Sequence, residues 1–242
     1  VRINQETSVN LDAVEQKKHL QATDHKIKLG SRQQPTKVKK EGNPNQINPE
    51  KNRKWNPELN QTITPNSFQN WCQDPDRETL VMGIVNVTPD SFSDGGQFYH
   101  PEKAILHAIQ LIKAGADIID IGGESSRPGA NHVLLQEELE RTIPVIQKIR
   151  QTSPDTLISI DTYKSEVAIQ AIEAGANMIN DISGLTMDEI MPNIAADLGV
   201  PIVIMHMQGT PANMQVNPHY EDLILDITSF FSDQIKLAHT AG

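Results

Sequence analysis

The sequence predicts an α/β fold built as a TIM-type (β/α) barrel, on three observations. Short apolar runs alternate with amphipathic helical stretches from Leu80 onward. Each run is apolar on successive residues, as a parallel strand covered on both faces requires. Polar residues collect where each run ends, the rim on which such barrels assemble their sites. Five βα units are visible of the eight that close a barrel, so the barrel is expected to be incomplete. A doubly wound open sheet is the alternative. No G-x-G-x-x-G follows the first run, which weighs against a dinucleotide-binding version of it.

The chain begins with a stretch, residues 1 to about 59, rich in Gln, Asn, Lys, Glu and Pro, whose apolar residues settle into no period of 2 or 3.6. It is expected to be a mostly disordered polar extension. With the transition that carries Trp55 and Trp71, this extension is drawn as residues 1–77 and the barrel as 78–242. The strands are expected at Leu80–Val87, Asp117–Ile121, Leu157–Ile160, Met178–Ile182 and Pro201–Met205. Between them, apolar spacings near i, i+3, i+4 and i+7 predict helices at Pro101–Ala114, Leu134–Gln151, Lys164–Ala174 and Met187–Leu198. Gly115, Gly175 and Gly199 stand where a helix C-cap needs a positive φ. The segment Ala114 to Asp120 (AGADIID) is echoed at Ala174 to Asn180 (AGANMIN), so one helix-turn-strand geometry is used twice, two βα units apart.

Composition narrows the function classes. The formal charge of -10 divides unevenly: residues 1–60 hold 12 Lys and Arg against 7 Asp and Glu, so the remainder is strongly acidic. Nucleic acid is therefore not expected as a partner, because phosphate-backbone binding relies on clustered cations. No run approaches the roughly 20 apolar residues of a membrane span, and none at the N-terminus serves as a secretory core, so no membrane is expected and a cytoplasmic location is. The single cysteine, Cys72, allows neither an intrachain disulfide nor a multi-cysteine metal site.

The strand ends carry the chemistry. They read Asn86 followed by VTPDSFSDGG to Gly96, Asp120 followed by IGGESSRPG to Gly129, Asp161, Asn180-Asp181, and His206-Met207-Gln208-Gly209-Thr210-Pro211. Singly, each aspartate reads as a cap or turn residue, while Arg127 is equally a surface cation. Five polar ends on one rim point to function. Asp161 and Asn180, on neighbouring strands, suit a flat heterocycle whose edge alternates donors and acceptors. Arg127, among Ser125, Ser126 and Gly129, suits a phosphate or diphosphate. Asn86 offers a hard oxygen to Mg²⁺. His206 has no second ligand at metal spacing and is read as packed and hydrogen-bonded.

Met82 to Gly96 (MGIVNVTPDSFSDGG) and Gly122 to Ala130 (GGESSRPGA) resemble the two signatures of dihydropteroate synthases. Ile158 to Lys164 (ISIDTYK), Ile179 to Gly184 (INDISG) and Met205 to Pro211 (MHMQGTP) look like further segments of that family, in its order. The resemblance covers about Leu80 to Gly242. It implies a transferase of folate biosynthesis that condenses dihydropterin-methyl diphosphate with p-aminobenzoate, with sulfonamides as competitors, Mg²⁺ as cofactor and a homodimer as the assembly. It implies Asp94 and Arg127 as catalytic residues, and Phe92, Ser126, Arg127, Asp161, Asn180 and Met205 as substrate-binding ones. Asn86 would meet the metal and the diphosphate, while Phe92 and Asp94 would cover the p-aminobenzoate and the departing group. Ser126 replaces a threonine common in the family and keeps the hydroxyl. The family's later Asp-Pro-Gly, Ser-Arg-Lys and Arg-x-His segments do not occur in this sequence, so the chain is expected to be inactive alone. A pterin-binding methyltransferase barrel, or a non-catalytic split barrel needing a second chain, are the alternatives.

Overall fold

The computed structural model describes residues 63–88, 101–125 and 132–242. Among them five strands form one sheet: β1 (Met82–Asn86), β2 (Ile118–Gly122), β3 (Leu157–Asp161), β4 (Met178–Asp181) and β5 (Ile202–Ile204). The helices are α1 (Pro65–Gln73), α2 (Pro101–Lys113), α3 (Leu135–Thr152), α4 (Ser165–Glu173), α5 (Met191–Leu198) and α6 (Leu223–Ala241). All strand pairs are parallel, and the spatial order is β1-β2-β3-β4-β5. That order decides between the two architectures. A doubly wound sheet reverses its strand order at a switch point, whereas a monotonic order with right-handed crossovers lays every helix on the same face. The sheet is therefore wound as a barrel wall.

The register sorts the strands into an outer and an inner face. Val85, Ile121, Ile160 and Ile179 are register partners in sequence across β1 to β4, with Ile202 next to Ile179 on β5. They pack with helix residues such as Ala104, Ile146, Val167 and Met191 in one core. The alternate residues face inward in layers, as in barrel interiors. The lowest layer contains Ile118 and Leu157, which with Met178 meet Phe68 of α1. The uppermost runs Asn86, Gly122, Asp161, Asn180.

Helix α1 lies inside the stretch assigned from sequence to the polar extension; residues 1–62 fall outside the described residues. Its local signals are sound but short. Pro65 occupies a first-turn position, where its missing N–H is no loss, and Ser67 Oγ accepts the Thr64 N–H at 2.9 Å. Phe68 stacks on Trp71 with centroids 5.5 Å apart, and Trp71 Nε1 donates to the Glu78 carbonyl at 2.8 Å. Nine residues with two aromatics give too little periodicity to register as a helix. Burial of Phe68 against the sheet supplies the stabilisation that propensity lacks.

The internal echo has a physical basis. After α2 and α4 the chain turns through Gly115 (φ 101°) and Gly175 (φ 115°), and Ala116 and Ala176 donate back to Leu111 and Ala171 in matching caps. Asp117 Oδ2 then accepts the Val81 N–H beside β1 at 2.8 Å, and Asn177 Oδ1 accepts the Ile158 N–H of β3 at 3.0 Å. Each repeat thus fastens the strand it enters to the strand before it. Helix α5 begins four residues later than expected, at Met191, because Ser183 and Asp188 commit the intervening backbone to turns. Helix α6, capped by Asp222 side-chain acceptance from Ile224 and Leu225, was not foreseen and buries none of its residues. No helix among the described residues is long and apolar enough to cross a membrane.

The turn after β4 is tight. Asp181 accepts the N–H groups of Ser183 and Leu185, and Gly184 sits at φ 63°. A Cβ there would lie 2.6 Å from the Phe230 ring and nearer still to the Met205 carbonyl oxygen. Gly184→Ala combines a left-handed backbone penalty with overpacking and is expected to cost about 2–5 kcal/mol, read as a lower urea midpoint at unchanged m. A midpoint equal to that of the unsubstituted protein contradicts this packing.

Candidate active site

The upper inner layer brings three of the predicted residues together. Asn86 pairs with Gly122, Gly122 with Asp161, and Asp161 with Asn180, so all four face the interior at one height. Gly122 keeps the floor open: a Cβ at that position would lie 3.2 Å from Asp161 Oδ2 and 3.5 Å from Asn86 Oδ1. One layer below, Asp120 is 4% exposed and accepts from Asn180 Nδ2 at 3.1 Å. Burial pushes the Asp120 carboxyl above the ordinary carboxylate range. Asp161 is pushed further, up to about 8, by burial and then by the carboxylates of Asp120, Glu138, Asp181 and Glu124. At neutral pH it holds a proton and is a donor as well as an acceptor.

Beside this layer lies an ionic cluster that sequence reasoning did not assign. Lys164 Nζ donates to Glu124 Oε2 at 2.5 Å, to the Val133 carbonyl at 2.9 Å, and to Glu138 Oε2. Thr162 Oγ1 donates to Glu138 Oε1, and the Tyr163 hydroxyl to Glu124 Oε1 at 3.0 Å. His132 Nδ1 stands 2.8 Å from the same hydroxyl. Burial raises Glu124, but the hydrogen bond and charge of Lys164, with the Tyr163 hydroxyl, outweigh it and hold the carboxyl below its usual value. Burial and the Glu124 charge push Tyr163 up. Glu124 and Ser125 open the loop that follows β2, so the cluster ties that loop to α3 and to the end of β3. Arg141 Nη1 adds a bond to the Gly123 carbonyl at 2.7 Å, where α3 approaches closely enough that only glycine fits. Glu124, Ser125, Glu138, Asp161, Tyr163 and Pro211 are among the residues lining one cleft.

The remaining predicted residues divide clearly. Phe92, Asp94, Ser126 and Arg127 lie outside the described residues. Met205 follows β5, 36% exposed, with its N–H on the Asp181 carbonyl. His206 is packed as expected, through rings rather than a hydrogen bond: its ring stands edge-on to Phe230 at 4.9 Å and near Tyr220 and Phe231. Asp120 carried a signal that went unused, an acid inside an apolar strand with the parity of Gly122. Glu138 and Lys164 carried none, because a buried acid on a helix and a lysine after a strand read as surface charges. Among the described residues no group of three or more His, Cys, Asp or Glu is placed to hold a metal.

Comparison with known proteins gives this geometry a family. A family model described as pterin binding enzyme matches residues 82–242. The dihydropteroate synthase of Synechocystis sp. is 53% identical over 166 residues, covering 69% of this chain and 57% of that protein. A crystal structure of Yersinia pestis dihydropteroate synthase with a sulfonamide drug complex is 48% identical with a TM-score of 0.62, covering 67% of this chain and 58% of that one. A Xanthomonas albilineans dihydropteroate synthase with 4-aminobenzoic acid is 46% identical with a TM-score of 0.62, covering 68% and 57%. The chain thus spans a little over half the length of these relatives. With the inward row of Asn86, Asp161 and Asn180 on a barrel-wound sheet, these likenesses place the chain in the pterin-binding enzyme family, with dihydropteroate synthases as its relatives.

Proposed function

We propose that this protein is a dihydropteroate synthase, condensing (7,8-dihydropterin-6-yl)methyl diphosphate with p-aminobenzoate to 7,8-dihydropteroate and diphosphate. The observation that carries the reading is the convergence of Asn86, Asp161 and Asn180 around the bare backbone of Gly122. Asn180 offers an amide and Asp161 a protonated carboxyl, a mixed donor and acceptor set suited to the edge of a pterin. The relatives solved with a sulfonamide and with 4-aminobenzoic acid support p-aminobenzoate as co-substrate and sulfonamides as competitors. Cytoplasmic location and a homodimer follow from the same family reading and belong to the proposal.

In this reaction the bond between the methylene carbon and the diphosphate oxygen breaks, the arylamine nitrogen bonds the carbon, and the amine gives up a proton. The protein's contribution is positioning and stabilisation of the departing charge. Asp161 and Asn180 orient the ring. The Glu124–Lys164–Glu138 cluster fixes the root of the loop after β2, which bears Ser126 and Arg127 in sequence. Mg²⁺ fits the donor set: a single neutral amide oxygen, Asn86 Oδ1, leaves the other positions to water and diphosphate oxygens, the coordination this ion favours. When bound, it would neutralise charge on the leaving group.

Titration of the full chain with dihydropterin-methyl diphosphate and Mg²⁺ by calorimetry tests the reading directly. Binding is expected, weakened at least about tenfold in Asn180→Ala, in line with the loss of a buried hydrogen bond; absence of binding refutes it. The raised Asp161 acid predicts a pH signature. The folded state keeps a proton that the unfolded chain releases near pH 4, so this stabilisation is complete below about pH 4 and is lost as pH rises through about 8. Asp161→Asn stays neutral throughout. Its urea midpoint relative to the parent should rise from pH 4 to pH 8, and a flat difference would sink the assignment. In Lys164→Ala, Glu138, whose side chain is 1% exposed, and Glu124 are left facing each other without a cation. An unfolding free energy lower by about 3–5 kcal/mol is expected, and a loss under about 1 kcal/mol contradicts a buried pair.

A further inference from the structure

We propose that Asp120 is a positioning residue that sets the hydrogen-bond polarity with which Asn180 meets the pterin; the inference rests on the pterin-binding reading above. Asp120 and Asn180 are equivalent positions of the internal echo, on β2 and β4, and they reach across β3 to touch: Asn180 Nδ2 donates to Asp120 Oδ2 at 3.1 Å. An amide is nearly symmetric in shape, so nothing steric tells its oxygen from its nitrogen. A carboxylate oxygen does, because it accepts and repels another acceptor. With Nδ2 held by Asp120, Asn180 turns Oδ1 and its second N–H away from that carboxylate, presenting one acceptor and one donor side by side.

Two further observations support this role. Asp120 is 4% exposed, and apart from Asn180 the polar group acting on its carboxyl is the hydroxyl of Ser159, its register neighbour on β3, placed too loosely to complete a well-formed hydrogen bond to Oδ1. A buried polar group left incompletely satisfied is destabilising, so the fold gains nothing from an acid here that an apolar residue would not improve. The layer beneath confirms the contrast, since Ile118 and Leu157 occupy the same inward face with apolar side chains. The acid's one well-formed side-chain hydrogen bond is with the amide of Asn180 in the layer above.

The test uses the full chain and two probes, 6-hydroxymethylpterin and 6-hydroxymethyllumazine, the second carrying a carbonyl acceptor where the first has an amino donor. The parent protein is expected to prefer the pterin. Asp120→Asn, nearly isosteric but able to donate or accept, should lose about tenfold in pterin affinity and bring the ratio between the two rings toward one. A purely structural role for Asp120 would lower both affinities together and leave the ratio unchanged, and that result overturns the proposal. A parent that binds neither ring overturns the pterin reading itself, and the inference with it. Should Asp120→Asn fail to fold, the side-chain amide resonance of Asn180 in the parent decides. One exchange-protected proton is expected there, and two freely exchanging protons refute the contact.

Discussion

The site depends on one constraint, the two-residue period of a parallel strand whose outer face must be covered by helices. Val85, Ile121, Ile160, Ile179 and Ile202 meet that demand, packing beneath the helices as a continuous apolar row. Once they do, the alternate residues are released to the interior, where their chemistry changes with height. Apolar contacts of Ile118, Leu157 and Phe68 close the lower end, and amide and carboxyl groups occupy the upper. The same period that stabilises the sheet therefore places Asn86, Gly122, Asp161 and Asn180 at one level without any need for the segments bearing them to be near in sequence.

Acidity concentrated at that level has to be accommodated. Asp120, Asp161, Glu124, Glu138 and Asp181 lie close enough for all of the other four to act on Asp161. Three different solutions are used. Glu124 and Glu138 share the ammonium of Lys164, Asp181 is consumed by backbone N–H groups of its own turn, and Asp161 keeps its proton. The outcome is a rim that is rich in carboxyl groups yet carries less negative charge than its composition suggests. At this level of the sheet, pairing and burial rather than composition set the charge.

The unforeseen parts share a cause. Helix α1 is too short for periodicity to reveal, and only the apolar lower layer of the sheet makes Phe68 a core residue. Lys164 and Glu138 stand 26 residues apart, each with the look of a solvated charge, until α3 and the end of β3 bring them into contact. Asp120 is the intermediate case: its parity with Gly122 was readable, but its partner, sixty residues on, was not. In each instance the energy lies in a contact between distant segments, which no local pattern encodes.

By itself the sequence determined the alternation of strands and helices, the glycines that end helices, the repeat of Ala114–Asp120 at Ala174–Asn180, and the polar strand ends that mark the family. These are properties of neighbouring residues, written in periods of 2 and 3.6 and in backbone conformations only glycine adopts readily. The tertiary structure alone decided that the sheet winds one way, that Asp161 remains protonated, that Lys164 is a buried counter-ion, and that Asp120 holds Asn180. Those depend on strand register and on the removal of water, and both arise only when segments far apart in the chain are packed together.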